Sequence, residues 1–116
     1  MSERVNIDKI VEGDGKTIPR KGNIVSVTYT GYITESGQVF DSTAKRRRNG
    51  EEIPFEFRVG TGEVIKGWDQ GIMQMSLGER SKMTIPAALA YGKHGFPCLI
   101  PGGKSITFDV TLRAVK

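Results

Sequence analysis

The residues of this chain best placed to do chemistry are an indole and the apolar side chains spaced around it. Trp68 is the sole tryptophan, set in the stretch Glu63-Val64-Ile65-Lys66-Gly67-Trp68-Asp69-Gln70-Gly71. Ile65, Trp68, Ile72 and Met75 recur at three- and four-residue spacing, with Lys66, Asp69, Gln70 and Gln74 on the other side, which predicts one short amphipathic helix. A lone buried indole on such a helix makes an apolar floor, and the chemistry of a floor is binding. The predicted helix opens after Gly60-Thr61-Gly62 with Thr61 as its cap, and Gly78 is placed to end it in a left-handed conformation. Gly67 and Gly71 each cost about 1 kcal/mol of helix stability relative to alanine, so close backbone packing is expected to compensate.

Reactive groups outside this stretch are few. A single cysteine, Cys98, excludes an internal disulfide, and one histidine with one cysteine cannot build a zinc site of the usual Cys/His type. Gly102-Gly103-Lys104-Ser105 resembles the end of a phosphate-binding loop, but Cys98 stands where the first glycine should be and a strand pattern follows instead of a helix. Gly60-Thr61-Gly62 is a fragment of a dinucleotide fingerprint without its strand-helix-strand context, and reads as a turn. Lys45-Arg46-Arg47-Arg48 is the one dense charge run; the formal net charge is +4, and removing these four residues leaves zero. Such a run can bind nucleic acid or serve as a nuclear address. Without interleaved aromatics it is not a single-strand platform, and a solvated loop partly neutralised by Glu51 and Glu52 is the favoured reading.

The elements that must position the indole read as strands. Val25, Val27 and Tyr29 alternate with Ser26, Thr28 and Thr30; Ile53, Phe55, Phe57 and Val59 alternate with Pro54, Glu56 and Arg58. Toward the end of the chain Ile106, Phe108, Val110, Leu112 and Ala114 alternate with Thr107, Asp109, Thr111 and Arg113. Weaker strand signals fall at Val5-Asn6-Ile7, at Gln38-Val39-Phe40 after the turn Glu35-Ser36-Gly37, and at Lys82-Met83-Thr84-Ile85. One wet face per strand implies an antiparallel sheet whose apolar face a single helix can cover, hence an α+β class and one domain over 1–116. No apolar run approaches the roughly 20 residues of a membrane span, and the polar start Ser2-Glu3-Arg4 lacks a signal-peptide pattern. With its single cysteine, the chain is expected in a reducing, cytosolic compartment.

Several separated blocks carry a resemblance. Val27-Thr28-Tyr29-Thr30-Gly31, Phe40-Asp41-Ser42, Gly60 through Trp68, Ala90-Tyr91-Gly92, Ile100-Pro101 and Phe108-Asp109-Val110 are similar, in order, to the signature blocks of the small single-domain FKBP peptidyl-prolyl cis-trans isomerases. The likeness covers essentially the whole chain. It implies a curved antiparallel β-sheet of about five strands wrapped around one short α-helix. It also implies a site, in which Trp68 resembles the base and Tyr29, Phe40, Phe55, Val64, Ile65, Tyr91, Ile100 and Phe108 resemble the walls. Asp41 and the Tyr91 hydroxyl resemble the polar rim, and the Ile65 amide resembles the donor to a ligand carbonyl. The resemblance assigns catalysis to Tyr29, Phe40, Asp41, Trp68, Tyr91 and Phe108, with Glu63, Phe96 and Leu99 joining the ligand-binding set. Phe55, Phe57, Ile100 and Phe108 would equally suit any core. Asp41 would not, because a carboxylate beside Phe40 is costly to bury unpaired.

Departures from the family pattern concentrate in two loops. Thirteen residues separate Asp41 from Phe55, more than is usual in small members, and they contain the basic run. An arginine that pairs with Asp41 should come from Arg46, Arg47 or Arg48. After Tyr91, Phe96 stands where a histidine is common, Leu99 where an isoleucine is common, and Cys98 where glycine often stands, so a more apolar rim is expected.

The implied reaction asks for the residues present. Rotating an X-Pro bond needs no nucleophile, proton transfer or metal; its barrier is about 18–20 kcal/mol of amide resonance. The resemblance therefore implies no cofactor. It implies X-Pro peptides and proteins as substrates and tacrolimus and rapamycin as ligands. The drug complex is expected to engage calcineurin or a TOR kinase. A monomer without membrane or nucleic-acid partners, cytoplasmic with nuclear access, completes the expectation. The alternative is a non-catalytic module that uses the same pocket to hold proline-containing loops or receptors.

Overall fold

The computed structural model describes residues 4–90 and 102–116. In chain order the strands are β1 (Asn6–Val11), β2 (Ile24–Ile33), β3 (Val39–Ser42), β4 (Arg47–Arg48), β5 (Glu51–Glu52) and β6 (Phe55–Arg58). After β6 come the helix α1 (Lys66–Ile72) and then β7 (Arg80–Ile85) and β8 (Ile106–Val115). All pairings are antiparallel: β1, β7, β8, β2 and β3 lie side by side in that order. β6 pairs with the first half of β2 on the edge that β3 uses at the second half. The result is one curved six-stranded sheet and a separate two-stranded ribbon, β4 with β5. The predicted α+β class and curved antiparallel sheet are what is found, with six strands in the sheet where about five were expected and one short α-helix among the described residues.

The period-two pattern places the core correctly except where the sheet bulges. Val25, Val27, Phe57, Met83, Ile85, Ile106, Phe108, Val110 and Leu112 all point inward and are buried. Ala114 was expected to continue that row. A bulge breaks the register between Ser26 and Val27, so Val25 faces Val115 instead, and Val115 packs on the core. A second bulge between Lys9 and Val11 leaves Ile10 and Val11 exposed on the outer strand β1. Strand β1 extends to Val11, beyond the predicted Val5-Asn6-Ile7, because pairing with β7 holds residues that have no alternating pattern.

Helix α1 is only seven residues long, too short to be stable alone, and it is held by burial of Trp68 and Ile72. A Cβ on Gly67 would stand 2.4 Å from Ile85 Cγ2, and one on Gly71 would stand 2.5 Å from Met83 Sδ. These two glycines let the helix lie directly on β7, the close packing expected of them. Neither predicted cap is used. Ile65 occupies the N-cap with no side-chain hydrogen bond, while Thr61 Oγ1 donates back to the Arg58 carbonyl at 2.9 Å. The helix ends at Met73, and Gly78 instead makes the positive-φ turn into β7, donating its amide to Leu112. Three-residue turns over Gln74 and Met75 end the helix before a glycine is reached.

Candidate functional site

Strands β2, β3, β6 and β8 present aromatic rings toward α1, and a cavity of about 420 Å³ opens among them. Its lining comprises Tyr29, Phe40, Asp41, Phe55, Glu63, Val64, Ile65, Trp68 and Phe108, each of which belongs to the predicted site. Trp68 is the hub. Its ring lies 4.8 Å from Tyr29 and 5.0 Å from Phe108, centroid to centroid, at interplanar angles of 85° and 82°. Phe40 meets Phe108 at 5.7 Å and 85°, and Phe55 meets Trp68 at 6.0 Å and 71°. Such edge-to-face contacts are worth about 0.5–1.5 kcal/mol each beyond area burial, and they fix ring orientation. The buried indole Nε1 has no hydrogen-bond partner among the described residues.

Polar groups are confined to particular places on this apolar surface. Tyr29 Oη donates to Asp41 Oδ2 at 2.6 Å, and the Ser42 amide donates to Asp41 Oδ1 at 2.9 Å. Asp41 itself is exposed. Among the described residues no arginine pairs with it, so the expected arginine partner is replaced by the tyrosine hydroxyl that the β2–β3 pairing brings alongside. Glu63 Oε1 accepts the Arg58 amide at 2.9 Å, tying this wall residue to β6. The Ile65 amide, at the N-cap of α1, donates to no described acceptor.

Supporting residues are less visible in the sequence. Asp69 reads as the polar side of α1. Its two carboxylate oxygens accept the amides of Gly60 at 2.8 Å and Gly62 at 3.0 Å, fixing the loop that delivers Glu63, Val64 and Ile65. Gly31 lies where a Cβ would come within 2.6 Å of Phe108 and 2.9 Å of Phe40, so its missing side chain makes room for two cavity rings. An isolated glycine in a strand pattern is the available signal for that. Thr43 fills the gap on the edge of β2 between β6 and β3: its hydroxyl accepts the Tyr29 amide at 2.8 Å and engages the Glu52 carboxylate. Nothing in the local sequence marks this hydroxyl as a substitute strand partner.

The basic run is built rather than loose. Lys45 ends a short 3₁₀ turn, Arg47 and Arg48 pair across the ribbon with Glu52 and Glu51, and Ile53 donates to the Arg46 carbonyl. Asn49 and Gly50, both at positive φ, make the tight reversal that suits a two-residue hairpin. The predicted solvated loop is thus an ordered ribbon. Tyr91, Phe96, Cys98, Leu99 and Ile100 lie outside the described residues.

A cavity walled by rings, with its few polar groups at the edge, suits an apolar ring held beside a carbonyl. The family model for FKBP-type peptidyl-prolyl cis-trans isomerases matches residues 15–113. FK506-binding protein 1 of Candida glabrata and that of Saccharomyces cerevisiae are each 48% identical to this chain over 111 residues, covering 96% of it and 92% of the relative. Peptidyl-prolyl cis-trans isomerase FKBP1A of Xenopus laevis is 44% identical over 108 residues, covering 93% of this chain and 94% of its own length. The chain belongs to the FKBP-type peptidyl-prolyl cis-trans isomerases, and its activity is the rotation of X-Pro bonds.

Proposed function

We propose that the cavity over Trp68 is where the X-Pro bond turns, and that it works by favouring the twisted amide over the planar one. The observation that carries this is the ring enclosure itself: Tyr29, Phe40, Phe55, Trp68 and Phe108 surround a space lined on its remaining side by Val64 and Ile65. Planar amides are stabilised by conjugation and by water on a strongly polar carbonyl. Twisting removes the conjugation and lowers that dipole, so an apolar wall penalises the twisted form less than the planar one. The Ile65 amide is the donor proposed for the carbonyl as it rotates. The hydrogen-bonded Tyr29 hydroxyl and Asp41 carboxylate form a fixed polar edge that orients the peptide. A millionfold acceleration needs only about 8 kcal/mol of differential binding out of a barrier of about 18–20 kcal/mol.

The same cavity is proposed to hold FK506, a reading supported by the names of the relatives, which match over nearly their whole length, and, by family resemblance, rapamycin. By family resemblance the drug complex would then present a composite surface to calcineurin or a TOR kinase, with the protein acting as a monomer. A cytoplasmic home is supported by the single cysteine, which rules out an internal disulfide, and nuclear access by the basic run Lys45-Arg46-Arg47-Arg48.

The test is NMR exchange on a Leu-Pro peptide, with and without saturating FK506. Acceleration that FK506 abolishes is expected. Acceleration that persists under verified drug occupancy would put the reaction elsewhere, and drug binding without any acceleration would leave only a binding module.

A further inference from the structure

Phe55 is a cavity wall, and a cation lies over its ring: the Arg46 guanidinium carbon stands 5.8 Å from the ring centroid. Arg46 is exposed, and neither it nor Lys45 or Arg48 forms an ion pair among the described residues. Arg47 is spent differently, donating to the carbonyls of Ala44 at 3.1 Å and Gly50 at 2.9 Å, so it stiffens the ribbon. Of the two carboxylates expected to neutralise the run, Glu52 engages Thr43 instead, and Glu51 lies opposite Arg48 rather than Arg46. The backbone on both sides of Arg46 is also fixed, its amide donating to Thr43 and its carbonyl accepting from Ile53. A guanidinium without an ion-pair partner among the described residues is therefore held against Phe55, a wall of a cavity whose charged lining groups, Asp41 and Glu63, are both carboxylates.

We propose that Arg46 is a specificity residue that favours X-Pro substrates carrying an aspartate or glutamate beside the isomerising pair. The inference rests on the assignment of the cavity as the isomerase site. Asp41 and Glu63 repel an acidic neighbour from their walls, and Arg46 receives it at the Phe55 wall. Its position over the ring and its fixed backbone restrict the guanidinium before substrate arrives, which reduces the entropy lost on pairing. Arg46 touches the part of the substrate that does not react, so its effect falls on binding rather than on the rotation.

The experiment uses N-acetylated, C-amidated peptides with a Leu-Pro centre. Glu, Gln or Lys is placed in turn before the Leu and after the Pro, and exchange is followed by NMR at low and high salt. At one of the two flanks kcat/KM for Glu is expected to exceed that for Gln by about two- to fivefold at low salt, the size an exposed charge pair can give, with Lys below Gln. The ratio should approach one in about 0.5 M salt. The gain should appear in KM. Arg46→Gln should bring the Glu/Gln ratio to about one, Arg46→Lys should restore part of it, and Arg48→Gln should leave most of it. Equal Glu and Gln rates at both flanks with the wild type would overturn the proposal, as would an Arg48→Gln loss equal to that of Arg46→Gln. A Gln peptide that is not accelerated at all would overturn the isomerase site itself, and this inference with it.

Discussion

The cavity around Trp68 and the corner around Glu79 are buried to a similar degree and built in opposite ways. Trp68 is 4% exposed and Glu79 is 2% exposed. Around Trp68 the contacts are ring edges, and the indole N–H is left without a described partner. Around Glu79 every polar atom is engaged: one carboxylate oxygen accepts the Ser76 amide at 3.2 Å, the other accepts the Ser81 hydroxyl at 2.7 Å, and Lys9 Nζ stands 3.9 Å away. Ser76 in turn accepts the Gly15 amide, and the loop from Gly13 to Thr17 docks on Leu77 through two backbone hydrogen bonds. A buried charge must be satisfied to be tolerated, whereas a site that binds an apolar ring must keep competing polar groups away. The corner holds the fold, and the cavity is what the fold holds open.

The sharpest way to break this contrast is to truncate both centres. Trp68→Ala should cost about 3–5 kcal/mol of stability and abolish measurable FK506 binding, because it removes the hub of four ring contacts as well as buried volume. Trp68→Phe should remain folded and bind more weakly. Glu79→Ala should cost about 1–3 kcal/mol by leaving the Ser76 amide and Ser81 hydroxyl unpaired, yet leave kcat/KM of the folded fraction unchanged. Denaturant melts read against drug titrations separate the two. A folded Trp68→Ala protein that binds FK506 with wild-type affinity would remove Trp68 from the site, and a Glu79→Ala protein with impaired turnover would erase the distinction between the regions.

The two regions also differed in how much of them could be read beforehand. Trp68 and its neighbours were legible because helical spacing and strand alternation are properties of apolar residues, and the cavity is made of apolar residues. The family blocks added Asp41 and Glu63. What stayed hidden were contacts made by polar groups over long sequence separations. Asp69 secures a loop several residues back, Thr43 substitutes for a strand, and Asp41 meets Tyr29 only because the β2–β3 pairing sets Asp41 opposite Gly31. The ribbon is a different case. Asn49-Gly50 is a strong hairpin signal, but its flanks are charges and carry no apolar alternation, so the segment reads as solvated loop. Glu79 shows no local sign of burial at all, since nothing adjacent marks it as different from an exposed glutamate.

A gentler probe adds a single carbon to each region. Gly31→Ala would place Cβ 2.6 Å from a Phe108 ring carbon and 2.9 Å from Phe40. Gly13→Ala would place it 2.3 Å from Ser76 Oγ and 2.6 Å from the Ser76 carbonyl oxygen. Both should destabilise by about 1–3 kcal/mol through overpacking. Only Gly31→Ala should lower kcat/KM, because only there must cavity rings move to relieve the clash. If the Gly13 substitution lowers turnover as much, the corner and the cavity are mechanically coupled and cannot be treated as separate regions.

The smallest expected effect separates the regions by pH. Asp14, in the loop that docks on the corner, has its carboxyl held below its ordinary value, first by the Thr17 hydroxyl at 2.7 Å and then by the amides of Thr17 and Lys16, both at 2.9 Å. A carboxylate whose folded pKa is depressed contributes stability that is fully present above its unfolded pKa of about 4, and that contribution is lost as pH falls through the lower folded value. Glu35, lowered by Lys104, follows the same sign, so acid melts of the wild type alone do not isolate either group. Asp14→Asn does, since asparagine keeps an acceptor for the two amides but cannot be protonated in this range. The melting-temperature difference between wild type and Asp14→Asn should be constant above about pH 5 and shrink below about pH 4. Turnover in the cavity should show no counterpart to this, staying flat from about pH 6 to 8, because rotation of an amide transfers no proton and neither Asp41 nor Glu63 is asked to change charge. A difference that does not change with pH would mean the Asp14 hydrogen bonds add nothing to the corner. A bell-shaped kcat/KM profile near neutrality would mean that the cavity, like the corner, depends on a titrating group.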